Sequence, residues 1–490
     1  MKNSYITVTD QFCGAGGSSQ GVHNYANKIG GGLEVKLALN HWKLAIETHS
    51  TNFQDTLHDC TDISACDPRR YPSTDILITS PECTNHSLAK GKKIVKAQMD
   101  LFNSGKIDAA AERSRATMWD VCRFAEYHQY NAIIVENVVD ARKWIMFDAW
   151  LNAMHILGYK HQCVYLNSMH CHPTPQSRDR MYVVFWKKGN KTPNLEFTPL
   201  AYSPRLGKDV HSVQTWKNPL KKFGKYNQQY VYCCPFTGDV VEPYYYASFN
   251  MVDWSDLGTR IGDRKHPLSH NTQKRIEAGL VKYSTQPLII NNQQSTGIGF
   301  RVKSVAEQIP TLSTQPNFGL FMPFIFKGEH TLQKGYTRSI TDTIQTQTVR
   351  QSMGLVIPHI VELNRTGESK PSTAPFSTFT AGVINHGIMA TEAMQSFLTY
   401  YYKTIQNSHI SEPMRTATTN DRAALISNVQ PNIEDCYYRM IKPPEVKLGM
   451  AFNRDYIVLG SGKDQVKQLG NAVTPPAMES LIERVVESLT

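Results

Sequence analysis

Five short apolar runs, separated by stretches of helical spacing, constrain residues 5–185 more than any other feature of the chain. They are Tyr5-Ile6-Thr7-Val8-Thr9, Val35-Lys36-Leu37-Ala38-Leu39, Asp75-Ile76-Leu77-Ile78, Ala132-Ile133-Ile134-Val135 and Met181-Tyr182-Val183-Val184-Phe185. Between them, Trp119 to Tyr127 and Phe147 to Leu157 place apolar residues at helical intervals. Strands alternating with helices predict an open α/β sheet with a parallel core, whose strand ends line a ligand crevice. At 41% hydrophobic and 19% charged, the chain can bury such cores. No apolar run approaches the ~20 residues of a membrane span, and no basic-then-apolar leader is seen. A soluble cytoplasmic protein with no membrane partner is expected. The ten cysteines include no C-x-x-C pair, which argues against a zinc ribbon, and no metal is expected.

A chain of 490 residues exceeds one ordinary core. Lys187-Lys188-Gly189-Asn190-Lys191-Thr192-Pro193 reads as an exit linker, after which the texture turns to Thr, Gln, Asn, Pro and Tyr. A Thr/Pro-apolar-x-Thr core recurs at Thr311–Thr314, Thr343–Thr346, Pro375–Thr378 and Pro413–Thr416, predicting stacked strand-loop-strand units. Residues 186–435 hold 26 Lys+Arg against 18 Asp+Glu, most of the net charge of +10. A basic middle between near-neutral flanks suits a polyanion, although mild excess charge also serves solubility. Beyond 435 the α/β character returns. Val473-Thr474-Pro475-Pro476 opens a final helix whose Ala477, Leu481, Val485 and Leu489 share one face. The expected division is 1–186, 187–435 and 436–490.

Individual motifs are weakly informative. A strand followed by Phe12-Cys13-Gly14-Ala15-Gly16-Gly17 brings bare backbone near a ligand and opens a helix, but glycines also make tight turns for steric reasons alone. Asn40 after the second strand suits ribose hydroxyls, and Asp62 suits an adenine amino group; singly, either fits a surface turn equally well. The ordered set says more. Pro81-Glu82-Cys83, Glu136-Asn137-Val138, Gln176-Ser177-Arg178-Asp179-Arg180 and Gln468-Leu469-Gly470-Asn471-Ala472-Val473 follow the glycine turn in sequence. Together they resemble the cytosine-C5 DNA methyltransferase family, over residues 5–185 and 436–490.

That resemblance implies a Rossmann-like S-adenosylmethionine-dependent methyltransferase domain. A mostly β target-recognition domain is inserted before its C-terminal segment. It implies S-adenosylmethionine as cofactor, held by Phe12, Gly14, Gly16, Gly17, Asn40, Asp62, Ile63, Pro81, Asn471 and Val473. It makes Cys83 the nucleophile, Glu136 the group at cytosine N3, and Arg178 and Arg180 contacts to the target cytosine or its phosphate. It also implies double-stranded DNA as substrate; a cognate restriction endonuclease as partner and action as a monomer are expectations beside it that no motif fixes.

The chemistry asks for these residue types independently. A thiolate adding at C6 makes C5 an enamine carbon able to attack a sulfonium methyl. Charge then develops toward N3 and O2, which calls for a proton-bearing carboxyl and a guanidinium. The base must leave the duplex, at roughly a few kcal/mol. The stretch 84–115, with Lys90, Lys92, Lys93, Lys96, Lys106, Arg113 and Arg115, reads as a basic loop that closes on phosphates. Two positions depart from the family: Glu82 stands where a second proline is usual, and Asn40 where an acid usually meets the ribose. Two alternatives stand beside this reading. One is the same chemistry on RNA; the other is an inert DNA-binding protein on this fold.

Overall fold

The computed structural model describes residues 5–81, 117–246 and 438–490 in full, the backbone of 109–116, and separate strands and turns between 248 and 437. Glu82, Cys83, most of the basic stretch after them and the four threonine repeats lie outside the described residues.

Seven strands build the main sheet, in the order β3-β2-β1-β4-β5-β8-β6. They are β1 (Ile6–Gln11), β2 (Leu33–Asn40), β3 (Leu57–Cys60), β4 (Ile76–Thr79), β5 (Ala132–Asn137), β6 (Tyr159–Asn167) and β8 (Asp179–Lys187), with a short β7 (Gln176–Ser177) outside it. All neighbours from β3 to β5 pair in parallel, and β8 lies antiparallel between β5 and β6. The parallel core and all five expected strands are present. The sheet adds β3, whose Leu57-His58-Asp59-Cys60 is too polar to announce itself, and β6, which carries charged and polar residues in its first half.

Alternation along the strands sorts side chains to two faces. Ile6, Val8, Ile76, Ile78, Ile134 and Val184 pack toward α1 (Gly17–Ile29) and α7 (Pro475–Leu489). Leu37, Leu39, Leu77, Ile133, Val135 and Phe185 pack with Phe124 of α3 (Ala109–His128) and Trp150 of α4 (Phe147–Ile156). In α7, Ala477, Leu481 and Val485 are fully buried, as their four-residue spacing predicts. Each buried Leu or Val contributes roughly 1.5–3 kcal/mol. The last helix therefore belongs to the first domain.

One glycine, Gly21, sets how close α1 and α7 come. A Cβ on Gly21 would lie 2.6 Å from the Pro475 carbonyl oxygen and 2.8 Å from the Glu479 nitrogen. These are backbone atoms of α7 and its start, so neither can step aside without moving the helix. Gly21→Ala is expected to destabilise the protein by about 1–3 kcal/mol. Unchanged thermal unfolding of that variant would show that α7 is not seated as described.

The chain divides into two compact units. The first comprises residues 1–252, 306–316 and 441–490, and the second 253–305 and 317–440. Residues 187–252 thus stay with the α/β unit, a later division than the linker at 187–193 suggests. In the second unit, Thr259–Arg260, Tyr437–Met440, Phe318–Met322, Leu288–Asn291 and Val302–Ser304 form one antiparallel sheet in that order.

Candidate active site

The strand order turns between β1 and β4, where β2 and β3 lie on one side and β5 on the other. Such a switch point opens a crevice at the carboxyl ends of parallel strands. The glycine turn leaves β1 there, and Ser80-Pro81 leaves β4 beside it. Gln11 and Thr79 are register partners at the ends of the two strands.

In the turn, Phe12 and Gly14 adopt left-handed backbone, with φ of 55° and 53°. A Cβ on Gly14 would meet nothing closer than the Phe12 carbonyl oxygen at 3.8 Å, so bare backbone faces open space there. Gly16 and Gly17 serve close packing instead. A Cβ on Gly16 would lie 2.3 Å from the Tyr456 hydroxyl, and one on Gly17 only 2.0 Å from the Val473 carbonyl oxygen. Tyr456 in turn donates to the Ala15 carbonyl at 2.5 Å. The Gly470–Val473 motif at the far end of the chain is thereby pressed against the first turn of α1.

The other crevice residues are held by specific bonds. Asn40 ends β2, and its side-chain oxygen accepts from the Trp42 amide at 2.9 Å. Asp62 is exposed, with one oxygen accepting from the Ser64 amide at 3.1 Å. Ile63 is buried. Arg123 of α3 donates to the carbonyls of Ile63 and Cys66 and is paired at 2.8 Å with Asp120, which also takes the Ser64 hydroxyl at 2.6 Å. This clamp fixes the Asp62 loop and went unforeseen, because an Asp-x-x-Arg pair on a helix reads as a surface ion pair. Asn471 is exposed at the end of α6 (Gly462–Asn471).

Glu136 and Arg180 meet directly. Arg180 Nε lies 2.8 Å from Glu136 Oε1, with only 16% and 12% of the two side chains exposed. Antiparallel pairing of β5 with β8, Glu136 opposite Tyr182 and Asn137 opposite Met181, brings them together. Asn137 Nδ2 donates to the Pro81 carbonyl at 3.4 Å, two residues before Cys83. The Glu-Asn pair therefore joins the β4 exit to the β5 end.

Arg178 does something else. It is 3% exposed, and its guanidinium donates to the carbonyls of Gly470 and Ala472 at 3.2 and 3.1 Å. Expected at the target base, it is placed here as a brace for the C-terminal segment. Arg178→Met is expected to lower stability by about 2–3 kcal/mol, since bonds from a charged donor are lost in a buried place. Thermal unfolding and limited proteolysis near Gly470 read it; an unaltered cleavage pattern would remove the brace.

The turn's features suit an adenosyl cofactor. Gly14 leaves a bare cradle, and the buried side-chain nitrogen and oxygen of Gln11 and the Thr79 hydroxyl have no hydrogen-bond partner among the described residues. A lysine-rich loop adjoins the end of β5 and the start of β8. Lys217, Lys221 and Lys222 are exposed, Lys225 reaches Asp140 at 3.4 Å, and the Tyr226 amide donates to Asp179 at 2.9 Å. No described helix is long and apolar enough to cross a membrane.

The chain is 26% identical over 189 residues to the Type II methyltransferase M.HgiDI of Herpetosiphon aurantiacus, covering 38% of this chain. It spans about half (53%) of that relative's length. A methyltransferase of Entamoeba histolytica and a putative DNA modification methyltransferase of an E. coli prophage superpose over 99% of both chains, at 12% and 13% identity and TM-scores of 0.45 and 0.42. At that level the superpositions do not bear on activity. The C-5 cytosine-specific DNA methylase model matches residues 6–487, from the first strand to the last helix, and the chain belongs to that family.

Proposed function

We propose that this protein is a DNA (cytosine-5-)-methyltransferase. It transfers a methyl group from S-adenosylmethionine to C5 of a cytosine drawn out of duplex DNA, through a transient bond between Cys83 and C6. The observation that carries the reading is the Glu136–Arg180 pair, held at 2.8 Å at the end of β5, one strand away from the exit of β4 that leads to Cys83.

The residues divide the work. Cys83 as thiolate adds to C6 and breaks the ring's aromaticity. Glu136, in contact with N3, carries the proton that neutralises charge arriving there. Arg180, anchored to Glu136, presents a guanidinium toward the developing charge at O2. Phe12, Gly14, Asp62, Ile63, Pro81, Asn471 and Val473 hold the cofactor, which when bound supplies an electrophilic sulfonium methyl. After transfer the C5 proton leaves to a base and the ring expels the Cys83 sulfur, restoring the thiolate. Asn137, bonded to the Pro81 carbonyl, keeps the segment before Cys83 in place.

Duplex DNA is favoured over RNA by the second, β-rich unit, whose size suits sequence reading, and by the exposed Lys217, Lys221 and Lys222 of the loop that Lys225 ties to Asp140, which suit a phosphate backbone. Incubation with S-adenosylmethionine and duplexes carrying 5-fluorocytosine tests the reading. The fluorine cannot leave as the proton does, so a covalent protein–DNA adduct accumulates. Binding without an adduct across a set of sequences that includes a methylated site points to the inert binder, and an adduct on RNA alone ends the DNA reading.

A further inference from the structure

A line of hydrogen bonds runs beneath the glycine turn and takes no part in the chemistry above. Asp10, the fifth residue of β1, is buried, and its Oδ2 accepts from the Ser19 hydroxyl of α1 at 2.8 Å. The same hydroxyl lies 2.9 Å from Nε2 of His49 in α2 (Lys43–Asn52). His49 Nδ1 lies 2.8 Å from Nε2 of His58, on the edge strand β3. His49 is fully buried and His58 half-buried, so the line has one end near solvent and the other in the core.

We propose that His58, His49, Ser19 and Asp10 form a proton wire between solvent and the carboxyl under the turn, and that the charge on Asp10 tunes how firmly the turn holds a cationic cofactor. The second half rests on the cofactor reading; the first does not.

The bonds allow two complete arrangements with the same number of protons. In one, a His58 imidazolium donates Nε2–H to His49 Nδ1, His49 donates Nε2–H to Ser19, and Ser19 donates to an Asp10 carboxylate. In the other each proton has moved one place. Asp10 as a carboxylic acid donates to Ser19, Ser19 to His49 Nε2, and His49 Nδ1–H to a neutral His58. Burial decides between them. Asp10 is pushed up to about 7, chiefly by desolvation, and its other oxygen has no partner among the described residues. His49 is held down to about 3 by burial and by His58. The wire thus keeps its proton on Asp10 at acid pH and releases it through His58 as pH rises past about 7.

The other titratable groups facing Asp10 do not compete. Cys13 in the turn and Tyr456 from the C-terminal segment both interact with it, and burial raises both well above their usual range, so they stay neutral. His49 also touches the turn itself: its Cδ2 lies 3.1 Å from where a Gly16 Cβ would stand. A change in the wire is therefore felt by the backbone that cradles the cofactor. S-Adenosylmethionine carries sulfonium and ammonium against one carboxylate, a net +1, whereas S-adenosylhomocysteine is net neutral. An ionised Asp10 favours the first over the second.

Two measurements on the full chain test this. In the ligand-free protein, NMR with labelled aspartate carboxyls and histidine ring nitrogens is expected to show Asp10 and His58 changing together near neutral pH. His49→Phe keeps a ring but no nitrogen, and is expected to uncouple them. Calorimetric binding of S-adenosylmethionine is expected to be roughly tenfold tighter at pH 8 than at pH 6, about one pKa unit's worth. S-Adenosylhomocysteine is expected to change by less than about twofold, and His49→Phe to flatten the difference. Should His49→Phe unfold, His58→Gln breaks the solvent end with the same expectation. An Asp10 carboxyl already ionised at pH 6, or moving identically in the variant, overturns the wire. Equal pH response of the two ligands overturns its coupling to the turn. Failure of both ligands to bind at any pH would instead remove the cofactor reading, and the ligand-free titration would still decide the wire.

Discussion

A Cys83→Ser enzyme is expected to bind duplex DNA as the parent does and to transfer no methyl group. Serine keeps the size of the side chain, so binding surfaces are undisturbed. Its hydroxyl is far less acidic than a thiol with a pKa near ~8.5, so no useful population of anion exists to add at C6. Losing the nucleophile of a covalent mechanism removes on the order of 10⁴–10⁶ in rate, more than any other single change proposed here. Labelled-methyl transfer with a gel-shift control reads both halves. Residual transfer within tenfold of the parent would mean that Cys83 forms no essential bond, and the adduct chemistry would fall with it.

Glu136→Gln carries the second large effect, a fall in kcat of about 10²–10⁴ with DNA affinity nearly unchanged. Glutamine still accepts a bond from Arg180, which lies at 2.8 Å from the carboxylate in the parent, so the guanidinium stays near its position. The amide cannot give up a proton to N3, so the negative charge produced by addition at C6 is left uncompensated. The same variant is expected to slow adduct formation on 5-fluorocytosine DNA rather than only turnover, because addition itself is the step that N3 protonation assists. If the variant keeps more than a tenth of parental kcat, Glu136 is serving to hold Arg180 and not to handle a proton. Glu136→Ala separates these, since it removes both functions.

Much of this protein can be read from local sequence. The runs at β1, β2, β4, β5 and β8 are apolar and β-branched because both faces of an inner strand are covered, and that pattern survives without knowledge of the fold. Edge strand β3 was missed because one side of Leu57-His58-Asp59-Cys60 is unpaired, leaving its residues partly or wholly exposed and its composition unmarked. The strand-end positions of Asn40, Pro81 and Glu136 were legible for the same reason that the strands were. The repeats at Thr311–Thr416 lie outside the described residues, and their reading as stacked β units stays a proposal.

What the sequence could not assign was the division of labour between residues of one type. Arg178 and Arg180 are two apart and equally basic, yet one braces Gly470 and Ala472 while the other meets Glu136. Gly14 and Gly17 sit in one turn, yet one faces open space and the other the Val473 carbonyl. Asp10, His49 and His58 show no motif, and become a connected line only when β1, α2 and β3 are laid side by side. Sequence by itself determined which segments form strands and helices and which chemical groups stand at their ends, because propensity and burial pattern act over a few residues. Which of those groups touch was decided by tertiary structure alone. Contact between distant segments depends on strand order, on the antiparallel insertion of β8 and on the return of α7 to α1, and no local preference encodes these.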